Sequence, residues 1–332
     1  MNPKVLISIL NWFNFEETIK CVNSVLESDY PLFEIIIIDN HSTNASASKL
    51  REAFPNLNLV ALVDNMGYAG GHQVAANYAK QNNFDLLWIL NNDLEVEKKA
   101  LSALVESYNI NGKALYGSLV LDETKSLIKF AGGYGLSDDK SINFKSGYNI
   151  FEKHRHDSIN FPTKDIPTSD VHGCSIMIPL QVIKENGFMD LKFFLYAEET
   201  DYCFEMNKLG IISIVATNSL VYHGGGISYT DTKTRLELVK NYYYLRNSYI
   251  YQKKYFQASK KQYLKNTIKA GIEYMILFNL YFYVVFKLFH KPIRSSTDIL
   301  REKKYYTYLA GIHALLGIRG KTLAPNDFIS NE

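Results

Sequence analysis

A chain of 332 residues, 47% of them hydrophobic, is long enough to bury one sizeable core and still carry an appendage. Its cysteines, Cys21, Cys174 and Cys203, are odd in number and show no CxxC spacing, so neither a disulfide framework nor a zinc site is indicated and a reducing cytoplasm fits. The net charge of +2 hides an asymmetry: residues 231–332 hold 18 Lys and Arg against 7 Asp and Glu, so a basic tail follows an acidic body.

In chain order, MNPKVLISILNW enters a strand at once, with only Lys4 before it and no small-residue cleavage site, so no signal peptide is expected. VLISIL (5–10) reads as a strand, Phe15 to Leu26 as a helix and EIIIIDN (34–40) as a second strand. Phe15, Ile19, Val22, Val25 and Leu26 recur at helical spacing and form one apolar stripe. A second cycle follows with LNLVALV (57–63), a small-residue helix after Gly70 and DLLWILNND (85–93). This alternation predicts parallel strands joined by crossover helices, and an α/β class. From about 110 to 170 the periodicity weakens into loops or short β excursions, where substrate-shaping structure is expected. Regular signals return at 169–183 and 210–223. Residues 236–290 read as helical and aromatic, but Glu273, Asn279 and Lys287 interrupt the run, which favours a helix lying in a membrane interface over a clean span; a buried helical subdomain is the plainer reading.

In open α/β sheets ligands sit beyond the carboxyl ends of strands, so the residues just after each apolar run carry the chemistry. Asn11, Asp39, the Asp64–Gly67 turn and Asn91-Asn92-Asp93 occupy those ends. Asp39 is placed to accept hydrogen bonds from a ribose or base, or to cap the following Ser/Thr-rich turn. Gly67, Gly70 and Gly71, where a loop enters a helix, allow backbone amides to approach a phosphate, yet the segment is neither GxGxxG nor a P-loop. Asp93 can hold a hard divalent cation that bridges a diphosphate. Glu198, Glu199 and Asp201 either start a solvated helix or, behind Phe193, Phe194, Leu195 and Tyr196, put a carboxylate in a partly apolar pocket, where burial raises its pKa towards that of a working base. His223, ending a strand before Gly224-Gly225-Gly226, is a metal ligand, a phosphate donor or a structural histidine.

The order of these pieces resembles glycosyltransferase family 2, rhamnosyltransferase-like type: strand-Asn-Trp, IIIIDN, DNMGYAGG, LNND, an acidic EETD after aromatics, then HGG. The resemblance covers about residues 4–230 and implies a GT-A catalytic domain over 1–230, mostly parallel sheet flanked by helices, with a basic aromatic helical extension over 231–332. It implies a nucleoside-diphosphate sugar donor, a divalent cation (Mn2+ or Mg2+) and inversion. By the same resemblance Glu199 is the base with Glu198 beside it, though the two roles could be exchanged. Asp39 reads the nucleoside, and Asn65 and Gly67 border the nucleotide pocket. Asn91 and Asp93 stand where the family keeps D-x-D, with Asn in place of the first Asp, and His223 is the second metal ligand. Asn11, Gly71, Asn92, Gly173 and Asp201 complete the substrate-binding set, Asp201 as a cap or orienter of its helix. The implied reaction moves a hexose, from dTDP-rhamnose or a UDP-sugar, to a glycan or lipid-linked oligosaccharide in bacterial surface polysaccharide synthesis. The basic tail would keep a cytoplasmic enzyme on the inner face of the membrane.

Competing readings are a catalytically degenerate sugar-nucleotide-binding scaffold, hinted at by Asn91, and a nucleotidyltransferase, whose Gly-rich basic signature residues 8–20 lack. A nucleic-acid binder would use the basic tail, but no recognised nucleic-acid-binding motif is present.

Overall fold

The computed structural model describes residues 2–143, 145, 149, 151–157, 161–224, 231–256, 260–288 and 296–324. The chain divides into two compact units, Met1–Asp190 with Glu198–Ile227, and Leu191–Ala197 with Ser228–Glu332. Seven residues of the acidic body, 191–197, thus belong to the same unit as the basic tail.

The first unit opens with β1 (Val5–Asn11), α1 (Phe15–Leu26), β2 (Phe33–Asp39), α2 (Ser46–Ala53), β3 (Asn58–Ala61), α3 (Gly67–Gln81) and β4 (Leu86–Asn91). It continues through β5 (Leu94–Val96), α4 (Ala100–Asn111), β6 (Leu115–Asp122), β7 (Ile128–Phe130), β8 (Ile166–Thr168), β9 (Ser175–Pro179), α5 (Leu180–Asn186), α6 (Glu198–Lys208) and β10 (Ser213–His223). The described strands form one sheet, ordered β3-β2-β1-β4-β9-β6-β10-β5, with β7 beside β6 and β8 beside β10. Neighbours among β3, β2, β1 and β4 are parallel, as the alternation predicts. β9 enters antiparallel between β4 and β6, and β5 is antiparallel to β10, so the sheet is mixed.

The isoleucine run of β2 shows why these strands are apolar throughout. Ile35 and Ile37 join Val5, Ile7, Ile9 and Trp88 in one core with Cys21, Val22 and Val25 of α1. Ile36 and Ile38 join Leu6, Leu87 and Ile89 in a second core with Ala75, Ala76 and Ala79 of α3. A strand covered on both faces alternates between two interiors, not between interior and water. The buried β6 replaces the weak signal expected there. Its run is broken in sequence by Gly117, and the structure gives the reason, because a Cβ there would meet the Val171 side chain at 2.5 Å. All three cysteines are buried and free, and burial pushes the Cys21 and Cys203 thiols up to about 12, so both are unreactive near neutral pH.

The second unit contains α7 (Asp231–Tyr255), α8 (Lys260–Leu288) and α9 (Ser296–Leu316). Its interior is built from aromatic residues: Tyr242 and Tyr243 with Phe194 and Val239, and Tyr249 with Phe193 and Ala314. A Cβ on Gly271 would meet the Tyr308 ring at 2.9 Å, and one on Gly311 would meet Thr267, so small residues set the close approach of α8 and α9. Among the described residues no helix is long and apolar enough to cross a membrane.

Candidate active site

The parallel register brings the strand-end residues together at the carboxyl edge of the sheet. Asn11 lies opposite Asp39, and Leu10 opposite Asn91. Asp39 is buried, and each of its carboxylate oxygens has a donor: Asn11 Nδ2 on Oδ2 at 2.6 Å and the Ser42 amide on Oδ1 at 2.9 Å. Asn11 is fixed in turn by Thr18, whose hydroxyl donates to Asn11 Oδ1 at 2.7 Å and accepts from Asn92 Nδ2 at 2.9 Å. Asn92 also donates to the Asn14 carbonyl. These contacts tie the ends of β1, β2 and β4 to the start of α1 and hold Asp39 in one orientation.

The glycine loop departs from expectation. Gly67, with a φ of 72°, takes the left-handed backbone that glycine tolerates, and opens α3. Its amide donates to Asn65 Oδ1 and that of Met66 to Asn40 Oδ1, both at 2.9 Å. Side-chain capping has therefore already used two amides that the sequence offered to a phosphate. Gly71 is explained by packing, since a Cβ there would lie 2.5 Å from Leu10 of β1.

Asp93 and His223 do come together. The antiparallel pairing of β5 with β10 sets Leu94 opposite His223, which leaves Asp93 beside that histidine. Asp93 Oδ1 and His223 Nε2 are 3.2 Å apart, both buried, yet neither meets hydrogen-bond geometry with any partner. Burial alone would raise the Asp93 pKa; the imidazole of His223 outweighs it and holds the carboxyl below the usual range. Adjacent ligands of an octahedral ion, each at about 2.1 Å, lie about 3.0 Å apart, so the spacing fits one shared cation. Among the described residues no third His, Cys, Asp or Glu completes a protein-only metal cluster. A hard cation bound with substrate phosphates needs few protein ligands. Gly225, Gly226 and Ser228, downstream of His223, lie outside the described residues.

His172, which the sequence did not single out, packs its ring 6.2 Å from that of His223. Its Nδ1 accepts the Cys174 amide at 3.1 Å, so a neutral ring carries its proton on Nε2. Burial, reinforced by the nearby His223, pushes its pKa down to about 4. Only its place beside Gly173, just ahead of a strand, could have flagged it.

Glu198, Glu199 and Asp201 all fall in the first turn of α6, with Glu198 and Asp201 buried. Asp201 is therefore inside the helix and not its N-terminal cap. Burial pushes the Glu199 pKa up, only partly offset by its own amide and that of Thr200. Gly173 is the floor beneath it: a Cβ there would stand 2.9 Å from Glu199 Cγ and 3.1 Å from Oε1. The Tyr68 hydroxyl of α3 donates to the Gly173 carbonyl, and the Tyr68 ring stacks edge-on at 4.7 Å against His72. The glycine-loop helix and the acidic pair thus meet at Gly173.

A mixed α/β sheet, mostly parallel and flanked by helices, with its polar strand ends gathered at one edge, is the GT-A fold. The sequence profile of glycosyl transferase family 2 matches residues 5–185, and the chain belongs to that family. The low-salt glycan biosynthesis hexosyltransferase Agl10 of Haloferax volcanii is 22% identical over 219 residues, 62% of this chain and 62% of the relative. The match therefore spans less than two thirds of that protein. The structure of GalNAc-T7 with UDP, GalNAc and Mn2+ aligns over 74% of this chain and 51% of its own, at a TM-score of 0.54 and 16% identity. A structure of S. aureus TarS 1-349 aligns over 94% of this chain and 81% of its own, at a TM-score of 0.49 and 14% identity.

Proposed function

We propose that the protein is an inverting, metal-assisted hexosyltransferase that moves a sugar from a nucleoside-diphosphate donor, dTDP-rhamnose or a UDP-sugar, to a glycan or lipid-linked oligosaccharide of the cell surface. Glu199 removes the proton from the acceptor hydroxyl as that oxygen attacks the anomeric carbon from the face opposite the diphosphate, which leaves with the bonding pair. A single displacement of this kind inverts the centre and needs no covalent intermediate. The raised Glu199 pKa suits proton removal near neutral pH, and Gly173 leaves room for its carboxyl. Asp39, held by Asn11 and Ser42, accepts from the nucleoside, while Asn65, Gly67, Gly71, Asn91 and Asn92 shape the surrounding pocket. Asp93 and His223 would hold Mn2+ or Mg2+, whose charge, when bound, offsets that building on the diphosphate.

The open Asp93–His223 pair carries this reading. A catalytically degenerate scaffold has no use for a buried carboxylate and imidazole that face each other at 3.2 Å outside hydrogen-bond geometry, an arrangement that costs stability. Thermal stabilisation by UDP, dTDP, GDP and CDP, each with and without MnCl2, tests it. A shift with UDP or dTDP that requires the metal is expected; no shift with any nucleotide would favour the scaffold.

We further propose that the protein works at the inner face of the membrane. On α8, Leu264, Ile268, Ile272, Met275 and Ile276 form an exposed apolar stripe at helical spacing, accompanied by Lys260, Lys261, Lys265 and Lys269. Such a face suits an anionic lipid interface. Flotation of the full chain with phosphatidylglycerol vesicles, lost in Ile272→Glu, is the expected outcome.

A further inference from the structure

We propose that Arg246 and Asn247 are positioning residues for the Glu198–Glu199 pair, acting through the backbone of residues 193–197; the proposal rests on Glu199 being the base. Both side chains lie fully buried on α7. Asn247 Nδ2 donates to three carbonyls of one short segment, those of Phe193 at 2.9 Å, Leu195 at 2.7 Å and Tyr196 at 2.9 Å. Arg246 Nη2 donates to the Phe193 carbonyl at 2.9 Å, and its Nε donates to Asn247 Oδ1 at 2.9 Å, which orients the amide. The other end of the guanidinium is fixed by the Gly320 carbonyl at 2.8 Å and Thr322 Oγ1 at 2.9 Å.

Chemistry separates this arrangement from an anion site. A buried guanidinium normally meets a carboxylate or phosphate, because an uncompensated buried cation is costly. Among the described residues Arg246 makes no carboxylate ion pair. Four of its five N–H directions are spent on neutral oxygens of the protein itself, and the Tyr243 ring covers it at 4.8 Å. Few donors remain for a ligand. The cation works instead as a rigid bracket on backbone carbonyls.

The bracketed segment needs such support. Phe194, Tyr196 and Ala197 adopt left-handed φ values of 69°, 69° and 70°. Side chains other than glycine disfavour that region, and such backbone persists only where the surroundings over-determine it, typically near functional sites. Here the left-handed residues turn the three carbonyls towards a single amide. The next residue in the chain is Glu198, the first of α6. Tyr196 and Ala197 lead directly into that helix, so their conformation sets the backbone from which it starts, and Glu199 lies one residue inside it.

The test uses the full chain, Asn247→Ala, Asn247→Asp and Arg246→Lys, with glutamates carrying 13C carboxyls and Glu199→Gln to assign the Glu199 signal. N247D keeps the shape of the amide but has no donors, so it should behave as N247A does if the hydrogen bonds matter. Expected in both is at least tenfold faster amide exchange through 191–203, with β1 and β4 unchanged, and a Glu199 carboxyl titration moved down towards the ordinary range. R246K, which keeps a cation but loses the fork, should show the same changes in smaller measure; it carries the test if the Asn247 variants do not fold. Faster exchange confined to 191–197, with the Glu199 titration unmoved, would overturn the proposal, as would wild-type behaviour in N247D. Full turnover in E199Q would instead remove the base assignment, while exchange at 198–203 still judges the bracket.

Discussion

Two stretches of the sheet's carboxyl edge treat their polar atoms in opposite ways. At the ends of β1 and β2, Asn11, Asp39, Ser42, Thr18 and Asn92 satisfy one another in a closed network. Where β5 meets β10, Asp93 Oδ1 and His223 Nε2 face each other at 3.2 Å, buried, and neither meets hydrogen-bond geometry. A closed network costs little and fixes shape, whereas a facing pair outside hydrogen-bond geometry leaves both atoms able to take a further partner. The difference matches the proposed roles, in which the first stretch would orient a substrate and the second would receive charge. Glu199 belongs with the second, since its carboxyl is held where ionisation is disfavoured.

The largest expected effect lies on the reactive side. Glu199→Gln should lower sugar transfer by about 10²- to 10⁴-fold, the usual contribution of a general base, while nucleotide binding by calorimetry stays within the wild-type range. The same variant has a stability signature. A carboxyl whose folded pKa is raised contributes most below its unfolded value, and that contribution is lost as pH rises through the folded one. Ionised Glu199 therefore weakens the fold at neutral pH. E199Q should melt above wild type at pH 7 and level with it in acid. For the same reason, the acid limb of the pH–rate profile should fall above the ordinary carboxylate range.

Asp93→Asn should come next, with a loss of about 10²-fold in kcat, as for removal of one charge-stabilising group, and loss of the metal dependence of nucleotide binding. Gly173→Ala pushes a Cβ to within 3.1 Å of the Glu199 carboxyl. A misplacement approaching 1 Å can cost about 10²-fold, so steady-state kinetics should show a fall of roughly ten- to 10²-fold, mainly in kcat. The smallest effect on turnover belongs to the closed network. Thr18→Val strands Asn11 and Asn92, and should cost about 1–3 kcal/mol of stability, read by urea unfolding, while the metal response stays intact. A metal response lost in T18V would break the comparison.

The strand ends were legible because each follows an uninterrupted apolar run, and Phe15–Leu26 coincides with the helix its stripe predicts. Four apolar and aromatic residues ahead of Glu198, Glu199 and Asp201 mark that cluster in the sequence, while the choice of Glu199 as base follows from the family resemblance and stays a proposal. The remainder depends on contacts that sequence spacing does not encode. β6 was hidden because Gly117 and Ser118 interrupt its apolar run, and only the position of Val171 explains the glycine. His172 gains its meaning from a ring on β10, fifty-one positions on. The roles of Arg246 and Asn247 depend on carbonyls more than fifty residues away. The loop amides misled in the other direction: Asn40 and Asn65 side chains claim two of them, and a glycine pattern cannot reveal that.

The central claim is that the open pair is where charge is received, and crystals grown with UDP and MnCl2, measured at the manganese absorption edge, test it most directly. A single anomalous peak between Asp93 Oδ1 and His223 Nε2, shared with the diphosphate, is the predicted result. Nucleotide bound without manganese at that pair would contradict it.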